Sequence, residues 1–123
     1  MLTNSKTIAF IGTTNPDHAR AFYRDILGLR LVSEDPFALM FDSNGTPLRV
    51  VVVEKVSVAP YTVLGWLVSD VGTAVRALSE RGVSFLRFDG MEQDERGIWN
   101  APGGARVAWF NDPEGHVLSL TQE

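Results

Sequence analysis

Arg49 has the most chemistry to account for. It stands inside residues 48–54, a run rich in Val that reads as a β-strand. A guanidinium among apolar side chains needs a carboxylate, a cluster of carbonyls or an anionic ligand, because an unpaired charge there is costly. Glu54 and Asp42 are the carboxylates that could pair with it, and a place near a strand end would let it reach water instead. The second concentration of chemistry is residues 88–96. Four carboxylates, Asp89, Glu92, Asp94 and Glu95, precede Gly97-Ile98-Trp99. An acidic loop beside aromatic residues can close over a cationic or polar ligand, with Glu92 or Asp94 as proton acceptor. The same loop also reads as an ordinary solvated surface. Tyr61, Trp99 and Trp109 can wall a pocket or fill a core. His18 falls in the first turn of a predicted helix beside Asp17, and His116 follows a Pro-Glu-Gly turn; neither position reads as a catalytic site. There is no Cys, which excludes a disulfide framework, a thiol nucleophile and any Cys-containing zinc site.

The chain that must position these groups has 123 residues, the size of one ordinary domain. Hydrophobic residues make up 45% and charged residues 21%, values that rule out intrinsic disorder and fibrous repeats. Net charge is −4 and the cations do not cluster, so nucleic acid is not an expected partner. The longest apolar stretch, around residues 63–68, falls far short of the roughly 20 needed to span a bilayer. Residues 1–6 show no basic segment followed by an apolar one. A soluble cytoplasmic protein without a membrane partner is the expectation.

The pattern predicts a strand over residues 7–12. A helix follows, with Asn15 as cap, Pro16 in the first turn and Asp17 against the positive helix end. Ala19, Phe22 and Ile26 form its apolar face, and Gly28 ends it. Strands are predicted over residues 29–33, 37–42 and 48–54, with Asn44-Gly45 as a hairpin turn. A connector over residues 55–61 leads to a second strand at 62–68. Asp70 then caps a helix carrying Val71, Ala74, Val75 and Leu78, which Gly82 closes. Further strands are predicted at 83–88, 106–110 and 117–121.

Both halves read strand, helix, strand, strand, strand, which is the most informative feature of the chain. Asn15 and Asp70 stand 55 residues apart, as do Phe10 and Gly65. The hairpin glycines Gly45 and Gly115 stand 70 apart, as do Arg49 and Ser119. The larger offset reflects a longer loop between the middle strands of the second half.

Three stretches within this repeat carry a family resemblance. They are Ala21-Phe22-Tyr23-Arg24-Asp25-Ile26-Leu27-Gly28-Leu29, Leu67-Val68-Ser69-Asp70-Val71, and residues 111–120 from Asn111-Asp112-Pro113-Glu114-Gly115 onward. With the duplication, they resemble the vicinal oxygen chelate superfamily of glyoxalase I, bleomycin-resistance proteins and extradiol dioxygenases. The resemblance implies an α+β fold of two βαβββ modules, about 6–54 and 62–121. It also implies curved half-barrel sheets, helices on their outer faces, and a pocket lined by alternate strand residues. On that register Phe10, Arg49, Val51, Gly65, Leu67, Ser119 and Thr121 face the pocket, while Ala9, Ile11, Leu64, Trp66, Leu118 and Leu120 face the helices.

In the family's metal-dependent members, four side chains hold one divalent cation. The matching positions here are Ile8, Arg49, Val63 and Ser119. Two are hydrocarbon, one is a cation and one is a neutral hydroxyl, so no metal and no other cofactor is expected. The resemblance then implies a metal-free protein binding a compact, partly apolar, anionic small molecule, and a homodimer. A lyase, isomerase or dioxygenase with a non-standard site is the alternative. Candidate ligand-binding residues are Phe10, Arg49, Val51, Tyr61, Glu92, Asp94, Trp99 and Ser119.

Overall fold

A computed structural model describes residues 1–123 as two compact units, Met1–Ser57 and Val58–Glu123. The first contains β1 (Ala9–Thr13), α1 (Pro16–Arg20) with a π-helical continuation over Ala21–Ile26, β2 (Arg30–Asp35), β3 (Ala38–Ser43) and β4 (Thr46–Val52). The second contains β5 (Thr62–Leu67), α2 (Val71–Glu80), β6 (Trp99–Asn100), β7 (Arg106–Asn111) and β8 (Val117–Gln122). Each unit is therefore βαβββ, and the sheet orders repeat: β1-β4-β3-β2 and β5-β8-β7-β6. The first and last strand of each unit are parallel and the others antiparallel. No helix is long and apolar enough to cross a membrane.

The helix starts form as the caps dictate. Asn15 Oδ1 accepts from the His18 N–H at 3.1 Å, and Asp70 Oδ1 accepts from the Thr73 N–H at 3.1 Å. That bond to Thr73 holds the Asp70 carboxyl below its ordinary pKa. Replacing Asn15 with Ala removes an acceptor for one of the free N–H groups of α1, with an expected loss of about 1 kcal/mol in urea unfolding. Asn44 and Gly45 both have positive φ, 48° and 93°, the tight hairpin that Asn-Gly favours. On the outer surface of the first unit, Arg20 donates to Glu34 at 2.9 and 2.6 Å and to Asp17 at 2.9 Å, tying α1 to β2. The Arg20 guanidinium lowers the Glu34 pKa in return.

Two local expectations are corrected. The apolar face of the first helix is Ala19, Phe22 and Tyr23, whereas Ile26 is only half-buried. The helix widens after Arg20, with the Leu27 N–H bonded to the Phe22 carbonyl five residues back, so the simple 3.6-residue spacing no longer applies. The strand predicted over 83–88 does not form. Phe85 makes an isolated bridge to Phe110, and the Leu86 N–H bonds the Trp109 carbonyl at 2.8 Å. Gln93 explains why. Its side chain accepts from the Phe88 N–H at 2.7 Å and donates to the carbonyls of Leu86 and Gly97 at 2.9 and 2.8 Å. Those are backbone groups a neighbouring strand would otherwise use. The outer strand of the second sheet is instead the two-residue β6.

Each core lies between a sheet and its own helix. In the first unit Ile11, Leu39, Phe41, Leu48 and Val50 are buried with Ala19, Phe22 and Tyr23. In the second, Ala108, Phe110, Leu118 and Leu120 are buried with Val71 and Val75 of α2. Phe41 opposite Leu48 and Phe110 opposite Leu118 are the same pair in the two repeats.

Candidate functional site

Strand alternation places the remaining side chains on the sheet face opposite each helix. In the first unit one row runs across the strands from Phe10 through Arg49 and Met40 to Ser33. Phe10 is 62% exposed, an unusual state for a strand Phe. Arg49 is half-buried, and its Nη1 lies 3.8 Å from the Met40 sulfur, its one side-chain polar contact. Neither internal partner expected from the sequence reaches it. Asp42 accepts from the Gly45 N–H at 3.2 Å and lies 3.8 Å from Arg30; no ion pair joins Glu54 to Arg49. Val51, half-buried, is next but one along β4, beside Gly12 and Ala38. A cavity of about 270 Å³ adjoins this row, lined by Arg30, Val32, Ser33, Met40, Asp42 and Pro47 among others.

In the second unit the equivalent row is Gly65, Ser119 and Trp109. Trp109 is the centre of an aromatic patch that sequence reasoning treated only as a wall or a core residue. Phe88 meets it edge-on at 5.3 Å, Trp99 lies 6.1 Å away, and its indole N–H donates to the Thr62 hydroxyl at 3.1 Å. Trp99 of β6 is half-buried, and Tyr61, just before β5, is 66% exposed. Ser119 is 8% exposed.

The acidic loop divides into working and free carboxylates. Asp94 Oδ1 accepts from the N–H groups of Arg96 and Ile98, both at 2.9 Å, while Arg87 donates to the Asp94 and Gln93 carbonyls. Asp94 therefore holds the loop in shape. Glu92 is exposed and shares with Trp99, Met91 and Asn100 the lining of a cavity of about 640 Å³. His18 is exposed; His116 is buried, and its N–H donates to Asp112 Oδ1 at 2.9 Å within the last hairpin turn.

The residues do not fit a divalent cation. The side chain beside Arg49 on β1 is Phe10, and the residue beside Ser119 on β5 is Gly65; Ile8 and Val63, the positions matched to the family's ligands, stand two residues earlier in the chain. Neither pair brings a lone-pair donor to its row except the Ser119 hydroxyl, and a cation needs three or four. No group of three or more His, Cys, Asp or Glu side chains comes together elsewhere.

The family model for the Glyoxalase/Bleomycin resistance protein/Dioxygenase superfamily matches residues 7–120. Among solved structures, the chain is similar to a member of that superfamily from Sphaerobacter thermophilus DSM 20745. The two are 24% identical with a TM-score of 0.75, and 100% of each chain is covered. A glyoxalase/bleomycin resistance protein from Streptomyces sp. CB03234 is 25% identical with a TM-score of 0.69, covering 96% of this chain and 100% of that one. Lactoylglutathione lyase from Agrobacterium tumefaciens is 17% identical with a TM-score of 0.76, covering 98% and 95%. No curated protein matches the chain.

Proposed function

This chain belongs to the Glyoxalase/Bleomycin resistance protein/Dioxygenase superfamily, and from that premise we propose that it is a metal-free small-molecule-binding protein. Its ligand is compact, partly apolar and anionic. The observation that carries this reading is Arg49, a half-buried guanidinium with no carboxylate partner, set beside exposed Phe10 and half-buried Val51. Apolar walls with one fixed charge are what a small anionic molecule requires. Asp42 is engaged with the Gly45 N–H and Arg30, and no ion pair joins Glu54 to Arg49, so the guanidinium is left available to an anionic group. The reading includes a cytoplasmic homodimer. The outer strand β2 supports pairing: it is a sheet edge, with Val32 53% exposed on it and Phe37 71% exposed just beyond.

A second reading, a metal-free acid–base enzyme, draws on Glu92, whose exposed carboxylate stands at the cavity shared with Trp99. The two readings separate in one experiment. Calorimetry of the purified protein is run with 1-naphthoate and with 1-naphthylmethylamine. Saturable binding of the carboxylate, without turnover, is the expected result. If only the amine binds, Glu92 and its loop carry recognition and the anionic reading falls.

A further inference from the structure

We propose that the second unit holds a subsite for a planar aromatic ring bearing an oxygen on its edge: the ring lies on the Trp109–Trp99 patch, and the oxygen bonds to the Ser119 hydroxyl over Gly65. This rests on the small-molecule reading above and concerns the second unit alone, where it names a class of ring and the group that orients it.

The argument begins with Ser119. It is 8% exposed, yet its hydroxyl makes no hydrogen bond within the chain. No side-chain polar atom in the protein is both sealed from solvent and unpartnered, so this hydroxyl keeps an opening. Gly65 provides it. A Cβ built on Gly65 would stand 2.5 Å from the Ser119 Oγ, closer than real contacts allow, and 3.3 Å from its carbonyl oxygen, a tight contact. Gly65 itself is exposed, so the hydroxyl leans across β5 into the space that any other side chain would fill. The φ of Gly65 is not in the positive range, so backbone conformation does not demand glycine here; space does.

What lies beside the hydroxyl sets the class of ligand. Trp109 is its direct neighbour across β7, and Trp99 and Phe88 extend the aromatic surface. A hydroxyl is both donor and acceptor, so it takes a carbonyl or a phenol equally well. An aromatic surface takes a flat ring, in offset or edge contact. Ring and oxygen must therefore be joined directly, because Ser119 and Trp109 are cross-strand neighbours and adjacent strands lie about 5 Å apart.

The test uses two neutral probes, 1-naphthol and 1-methylnaphthalene, followed by the indole N–H signals in proton–nitrogen spectra. The signals of Trp109 and Trp99 are expected to move, while that of Trp66, which stacks on buried Phe110 on the helix side, stays put. Naphthol is expected to bind roughly three- to tenfold more tightly, the worth of one neutral hydrogen bond. Ser119→Ala should make the two probes equal and leave the methylnaphthalene affinity unchanged. Gly65→Ala, which pushes on the hydroxyl, should weaken naphthol more than methylnaphthalene. A naphthol preference that survives in Ser119→Ala, or movement of Trp66 as large as that of Trp109, overturns the proposal. Neither probe is charged, so their binding reads the second unit's subsite without any contribution from an anionic contact. A failed naphthoate experiment with a normal naphthol result therefore removes the anionic reading alone.

Discussion

Phe110→Ala is expected to lower the free energy of unfolding by about 3–5 kcal/mol, the largest effect of any single core truncation in the second unit. Phe110 has no exposed surface. Its ring stacks with Trp66 at 6.5 Å and meets Phe85 at 5.6 Å, and its backbone forms the isolated bridge to Phe85. The surroundings cannot close over the gap. Leu118 opposite it and Val75 on α2 are already buried, and their strand and helix are fixed by their own hydrogen bonds. Phe85 is the one neighbour free of a named strand, so its bridge should be lost together with the ring contact. Urea unfolding followed by tryptophan fluorescence reads both: the midpoint falls, and the Trp66 signal changes in the native baseline. A loss under 1.5 kcal/mol would mean that segment 83–88 slides in to fill the hole and that the core of this unit is not close-packed.

Much of the fold was legible because it is written in short-range chemistry. Asn15, Asp70 and Asn44-Gly45 act through contacts with residues two to four positions away, and such signals survive in any context. The repeat supplied the rest, since a second copy of the same cap and hairpin spacing turns weak local signals into a topology. The failures have a common cause. Gln93 bonds groups four to seven residues distant through its side chain, and nothing in hydrophobic periodicity marks a glutamine that will occupy strand hydrogen-bonding groups. Tyr23, four residues after Ala19, keeps ordinary helical spacing, whereas Ile26 is only half-buried where the helix has widened, a backbone event without a residue signature. The site was legible by type and only partly by place. Arg49 among valines and the aromatic residues stood out, but the row that joins Gly65, Ser119 and Trp109 depends on the register of three strands. Asp94 and Glu92 looked alike in sequence, and only the bonds from the Arg96 and Ile98 N–H groups separate them.

Arg49→Met is expected to weaken 1-naphthoate binding by ten- to a hundredfold, the loss of a charge-assisted contact of roughly 1.5–3 kcal/mol. Met is chosen because it keeps most of the side-chain length and its apolar stem, so contact with Met40 across the strand is retained. The stability of the variant should change by less than about 0.5 kcal/mol, since Arg49 gives up no ion pair. That combination distinguishes a binding residue from a structural one. A guanidinium held for the fold would show the reverse: a fall in unfolding free energy with no effect on the ligand. Salt adds a second axis, because the contact with a carboxylate is partly screened while apolar contact is not. Raising the salt from 50 mM to 500 mM should therefore weaken naphthoate binding to the wild-type chain and leave binding to the Met variant nearly flat. Equal naphthoate affinity in the two proteins at 50 mM salt would place the anionic group elsewhere and leave Arg49 as a solvated strand residue.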